Sequence, residues 1–103
     1  MMQVGLRTRI KPGLEERYEE YHRAVWPEVV QEIRRAGITK YVIFRDGLDV
    51  FHYIECDDYD RAIAEIGMDP VSMKWEAEIA MLMEATHDFS GESSDRMKKI
   101  WQL

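Results

Sequence analysis

Tyr18, His22 and Trp26 follow one another at i, i+4 spacing, so on a helix they form a single stripe. His22 is the member of that stripe suited to chemistry, because an imidazole gives or takes a proton near neutral pH. Pro27 follows Trp26 directly. Lacking an N–H and disfavouring helical geometry in the residue before it, Pro27 ends the helix just after His22. The last carbonyls are left free, and such a place supports an imidazole of near-neutral pKa. The packing reading of the same residues makes Tyr18 and Trp26 boundary side chains with wet polar tips and His22 a solvated or capped histidine. Both readings place the stripe beside the apolar row Leu14, Tyr21, Val25 and Val29, at the border between helix and sheet edge, where a cleft would have to lie.

Other candidates stand further along. Trp75, between Lys74 and Glu76, reads equally as a core residue and as a ligand platform, and Tyr41 sits in a strand-like run where either face is open to it. His52 and Cys56 share strand parity with Val50 and Ile54, an inward or partner-facing row. His87 begins a polar segment and is expected to be exposed. No His, Cys or carboxylate spacing of the H-x-x-x-H kind supplies a metal site, and the lone Cys56 has no second thiolate to join. Glycine-rich phosphate loops and the G-x-S-x-G elbow are absent from the sequence, so nucleotide and α/β-hydrolase chemistry have no motif here.

The elements that must position these residues alternate along the chain. Residues 4–10 alternate apolar and polar as a half-buried strand does, and Lys11-Pro12-Gly13 ends it. Leu14, Tyr18, Tyr21, Val25 and Val29 then recur at three and four, with Glu15, Glu16, Glu19 and Glu20 as the solvated side of a helix. Pro27 opens a second helical stretch that closes at Gly37. Residues 38–44 and 50–56 read as a hairpin whose connection, 45–49, carries an Asp-Gly turn signal. Asp57-Asp58 caps a helix over 59–66, Asp69-Pro70 opens another over 71–84 with Gly67 separating the two, residues 86–95 form a loop, and 97–103 a short last strand. This order predicts an α+β fold, the ferredoxin-like β-α-β-β-α-β sandwich with its helices on one face of an antiparallel sheet. Apolar positions at both parities of the hairpin suggest that a second copy covers the other face, as in a homodimer packed sheet on sheet.

Composition bounds the partners. The 103 residues make one domain, 1–103, with 14 Lys and Arg against 20 Asp and Glu and a net charge of -6. Such a balance argues against nucleic acid. No apolar run is long enough for a membrane span, and Met1-Met2-Gln3-Val4 has no basic region ahead of an apolar stretch. With its single cysteine the chain is expected in the cytoplasm. Eleven aromatics, several beside polar or charged residues, remain to be accounted for.

The run Tyr18-x-x-x-His22-x-x-x-Trp26-Pro27-Glu28, with Tyr41 in the following strand and Trp75 on a later helix, resembles the L-rhamnose mutarotase family. The resemblance spans essentially the whole chain, from Met2-Gln3-Val4 to Ile100-Trp101, and is most specific in that run. It implies a dimeric ferredoxin-like α/β barrel that interconverts the anomers of a 6-deoxyhexose without cofactor or metal. By the same resemblance His22 matches the proton donor, Tyr18 and Tyr41 hold the sugar, and Trp75 is the first of two adjacent tryptophans lining the pocket. Glu76 stands where the family's rhamnose enzymes have the second, so an apolar wall becomes a carboxylate, and L-fucose joins L-rhamnose as an expected substrate.

Mutarotation requires one acid and one base, each contributing about 10²- to 10⁴-fold. His22 is the expected donor to the ring oxygen, its partner being Tyr18 or Tyr41 through a water, or Glu76. Trp75 and Trp26 are expected to stack on the sugar's apolar face. Two rival functions share the fold: a cofactor-independent monooxygenase, and a dimer that binds a sugar without turning it over.

Overall fold

The computed structural model describes residues 1–84 and 96–103. Its elements are β1 (Met2–Arg9), α1 (Glu15–Arg23), α2 (Pro27–Arg35), β2 (Ile38–Asp46), β3 (Asp49–Cys56), α3 (Tyr59–Met68), α4 (Pro70–Ala80) and β4 (Arg96–Met97). The strands form one antiparallel sheet in the order β2-β3-β1-β4, the ferredoxin-like arrangement with each helical connection split in two.

Alternation decides which face the helices cover. Val4, Leu6 and Thr8 of β1 and Val50, His52, Ile54 and Cys56 of β3 are buried on the helix side. On the opposite face, Arg7 and Arg9 reach Asp49 at 3.5 and 3.2 Å. That outer face also carries the pairs Phe44–Phe51 and Val42–Tyr53, and Phe44 is 62% exposed.

The core divides in two. One cluster joins Val4, Leu6, Ile38 and Ile54 to Tyr59, Ala62, Ile63 and Ile66 of α3. The other joins Ile10, Val50, Tyr18 and Val29 to Trp75 and Ile79 of α4.

Departures from the expected boundaries have local causes. The hairpin strands extend to Asp46 and from Asp49, leaving only Gly47 and Leu48 as the turn; Gly47 takes a φ of +61°, which a residue without a Cβ adopts at no steric cost. Gly67 lies inside α3 and does not separate the two helices. The division falls at Asp69, whose carboxylate accepts the Ser72 N–H at 2.9 Å, with Pro70 in the first helical position. α4 stops at Ala80 because the chain then pairs with the end of β1: Lys11 N–H donates to the Leu82 carbonyl and Glu84 N–H to the Arg9 carbonyl, both at 2.8 Å. The last strand is confined to Arg96–Met97, after which Ile100, Trp101 and Leu103 stand exposed. The loop expected at 86–95, with His87, lies outside the described residues.

Candidate active site

The two core clusters are separated by a cavity of about 540 Å³ between the helices and the inner face of the sheet. Tyr18 and His22 of α1, Tyr41 of β2, His52 of β3, and Trp75 and Glu76 of α4 all line it. Its size is that of a small-molecule site, and its lining is apolar with a few polar groups set into it.

α1 supplies the first pair. One turn apart, Tyr18 and His22 share a face, and their rings meet at 4.3 Å between centroids. Nδ1 of His22 lies 2.8 Å from the Tyr18 carbonyl, which can only accept, so Nδ1 carries the hydrogen. In the neutral ring Nε2 is then a free lone pair. Burial lowers the His22 pKa below 6.5, outweighing the Tyr18 carbonyl, which favours the charged form. The helix is fixed at both flanks: Glu19 pairs with Arg45 of β2 at 2.6 Å, and Tyr21 donates its hydroxyl to Glu78 of α4 at 3.1 Å.

Tyr41 is aimed inward by an irregularity. Ile38 pairs with Cys56 and Lys40 with Glu55, so Thr39 is an extra residue, a β-bulge in β2. The bulge reverses parity: Tyr41 now opposes Ile54 and Ile43 opposes His52, both on the helix face. The Tyr41 hydroxyl lies 3.1 Å from His52 Nδ1, and His52 Nε2 lies 3.0 Å from the Thr8 hydroxyl. His52 therefore belongs to the site through Tyr41, a role that sequence reading did not assign; shared parity with Val50 and Ile54 was its only signal.

α4 supplies the opposite wall. Trp75 is 5% exposed and meets Tyr21, His22 and Trp26 edge to face at 5.7, 5.7 and 5.2 Å. Trp26 is not a cavity wall. α1 ends at Arg23 and Trp26 becomes the residue before α2, so it leaves the helical stripe of Tyr18 and His22 and packs on Trp75, with Lys74 over its ring at 5.9 Å. Glu76 faces the cavity, and among the described residues no hydrogen bond or ion pair engages its carboxylate. Burial pushes its pKa up to about 7. The Tyr18 and Tyr41 hydroxyls are raised well above the usual phenol value, first by burial and then by the Glu76 charge. Three groups thus stay neutral near pH 7, and a fourth is poised to exchange a proton there. Among the described residues no three His, Cys, Asp or Glu side chains are grouped to hold a metal ion.

A sequence model described as L-rhamnose mutarotase matches residues 3–103. The chain belongs to the L-rhamnose mutarotase family. A curated relative of that name from Clostridium beijerinckii is 33% identical over 92 residues, covering 87% of this chain and 88% of its own. Among solved structures, L-rhamnose mutarotase from Formosa agariphila superposes with a TM-score of 0.79 at 18% identity, over 100% of this chain and 99% of that one. Tetracenomycin F2 cyclase from Streptomyces glaucescens, a type-II polyketide cyclase, follows at 0.65 and 16%, over 100% and 97%. At these identities the two structures establish the shared α+β fold, while membership of the mutarotase family rests on the sequence.

Proposed function

We propose that this protein is a mutarotase, an isomerase that interconverts the α and β anomers of a 6-deoxyhexose, L-rhamnose or L-fucose, through side-chain acid–base chemistry without a cofactor. The observation that carries the reading is His22: an imidazole oriented by its own helix, with Nε2 available, on the wall of a cavity of small-molecule size. Opening a pyranose requires a proton on the ring oxygen and removal of one from the anomeric hydroxyl. The aldehyde then turns about C1–C2, and the ring closes on the other face. His22 exchanges one of those protons, with a contribution of about 10²- to 10⁴-fold. Tyr18 and Tyr41 hold sugar hydroxyls, and Trp75 offers its ring to the C–H face of the sugar. Glu76 occupies the family's second tryptophan position and presents a polar group to a hydroxyl there, which supports L-fucose beside L-rhamnose.

The functional unit is a homodimer with its sheets face to face. Phe44 and Met97, 62% and 43% exposed on the outer sheet face, and the half-buried Phe51 and Tyr53 beside them support that arrangement. No described helix is long and apolar enough to cross a membrane, and the lone Cys56 is buried and reduced. Both fit a cytoplasmic enzyme acting on a neutral sugar, with neither nucleic acid nor membrane as partner. A panel of 6-deoxyhexoses followed by saturation-difference NMR tests the proposal: accelerated exchange between anomeric proton signals is expected. Binding without acceleration would leave a sugar-binding module instead.

A further inference from the structure

We propose that Thr8 and His52 are positioning residues that make Tyr41 a hydrogen-bond donor, and not an acceptor, toward a ligand oxygen in the cavity. The direction follows from counting hydrogens along a chain that crosses three neighbouring strands. Thr8 of β1 and His52 of β3 are each 3% exposed on the helix face. The Thr8 hydroxyl lies 3.0 Å from His52 Nε2, and the Tyr41 hydroxyl of β2 lies 3.1 Å from Nδ1. Both contacts are diagonal across the sheet, since Leu6 and Ile43 stand directly opposite His52. Among the described residues, the Thr8 hydroxyl has no side-chain hydrogen bond other than the one to His52. A hydroxyl brings one hydrogen of its own. Were the ring hydrogen on Nε2, it would be donated to Thr8, and the Thr8 hydrogen would be left in the core without an acceptor, a costly arrangement. An imidazolium donates from both nitrogens and strands the same hydrogen. The Thr8 O–H therefore donates to a bare Nε2, while Nδ1 holds the ring hydrogen and donates it to the Tyr41 oxygen.

Tyr41 then has its own hydrogen to place. Among the described residues its hydroxyl makes no hydrogen bond besides the one it receives from His52, and its side chain lines the cavity. The O–H is thus left for an oxygen that a ligand brings. Three donations run the same way, from Thr8 to His52, from His52 to Tyr41 and from Tyr41 to the ligand, so each bond polarises the next. Burial and the Glu76 charge hold the phenol neutral, which keeps that hydrogen in place. The mutarotase reading enters only in naming the acceptor, which on that reading is a sugar hydroxyl or the ring oxygen. The ring oxygen has no hydrogen to give, so a Tyr41 that could only accept would not hold it; a Tyr41 that donates can hold either.

Nitrogen NMR of the protein labelled at histidine reads the ring directly and needs no sugar, the His52 signals being those lost in His52→Ala. A protonated Nδ1 and a bare Nε2 are expected at His52; a protonated Nε2 overturns the proposal. Anomer exchange of L-rhamnose and L-fucose, followed by saturation-difference NMR, tests the consequence. Thr8→Val removes the hydrogen that sets the ring, and KM is expected to rise roughly three- to tenfold with kcat changed less, whereas Thr8→Ser keeps the wild-type KM. Tyr41→Phe deletes the donor itself, so adding Thr8→Val to it is expected to raise KM no further. A wild-type KM in Thr8→Val overturns the proposal. So does a Thr8→Val effect that persists in full beside Tyr41→Phe, because Thr8 then acts through packing and not through Tyr41. If Thr8→Val does not fold, the nitrogen spectrum of wild type decides alone. If wild type does not accelerate exchange, the mutarotase reading falls, while the spectrum still decides where the His52 hydrogen lies.

Discussion

His22 donates its Nδ1–H to the carbonyl of Tyr18 at 2.8 Å, one turn back on the same short helix. This one bond fixes the ring, its tautomer and the direction of Nε2, and it needs nothing from the rest of the fold. What the fold adds is burial, which lowers the His22 pKa and keeps the imidazole neutral at physiological pH. Activity limited by this base is expected to rise with pH through a pKa below 6.5. A kcat/KM profile whose acid limb lies well above pH 6.5 contradicts it.

Glu76 ties stability to pH with a definite sign. Its folded pKa of about 7 lies above the ordinary 4.5, so folding favours the protonated form. The associated stability is fully present below pH 4.5 and is lost as pH rises through about 7, for a total on the order of 3 kcal/mol. Glu76→Gln is expected to match wild type in Tm near pH 4.5 and to exceed it by several degrees at pH 8. Equal Tm values at pH 8 contradict the burial of this carboxyl.

His52 holds Tyr41 and Thr8 together inside the sheet face, at 3.1 and 3.0 Å. His52→Ala leaves two inner-face hydroxyls without that partner and is expected to cost about 1–3 kcal/mol. Because Tyr41 loses its orientation, KM should rise several-fold while kcat changes less. Thermal denaturation and exchange kinetics on one preparation check both, and an unchanged KM removes His52 from the site.

The outer sheet face carries Phe44 at 62% exposure, paired across the hairpin with Phe51. If two sheets meet there, Phe44→Glu sets charges against an apolar partner and should yield monomers at micromolar concentration by sedimentation, while wild type remains dimeric. A wild-type protein that sediments as a monomer throughout contradicts the interface.

Substrate preference is expected to turn on residue 76. Replacing Glu76 by Trp exchanges a polar group for an apolar wall and should raise the ratio of kcat/KM for L-rhamnose over L-fucose by about tenfold, one polar contact's worth of discrimination. An unchanged ratio means that residue 76 does not touch the sugar.

Much of this was legible in the sequence where the physics is local. The β1 alternation, the Pro27 break and the Tyr18–His22 turn depend on neighbours within a few residues, and each is found as expected. Tyr41 was not decidable, because its face depends on one extra residue, Thr39, and a one-residue shift in pairing inverts every side chain beyond it. Helical phase carried past His22 puts Trp26 on the cavity wall, whereas α1 stops at Arg23 and the ring packs edge to face on Trp75. Asp69-Pro70 opens α4 as its capping pattern predicts, and the division from α3 falls there and not at Gly67, which lies inside α3. The poise of Glu76 comes from burial between elements far apart in sequence, which no local pattern carries.

Proton exchange at His22 on a bound sugar is measured by anomer exchange of L-rhamnose and L-fucose, followed by saturation-difference NMR for wild type and His22→Ala side by side. Clear acceleration by wild type is expected, with a loss of about 100-fold or more in the variant whose fold is retained. Equal rates in the two proteins would contradict it.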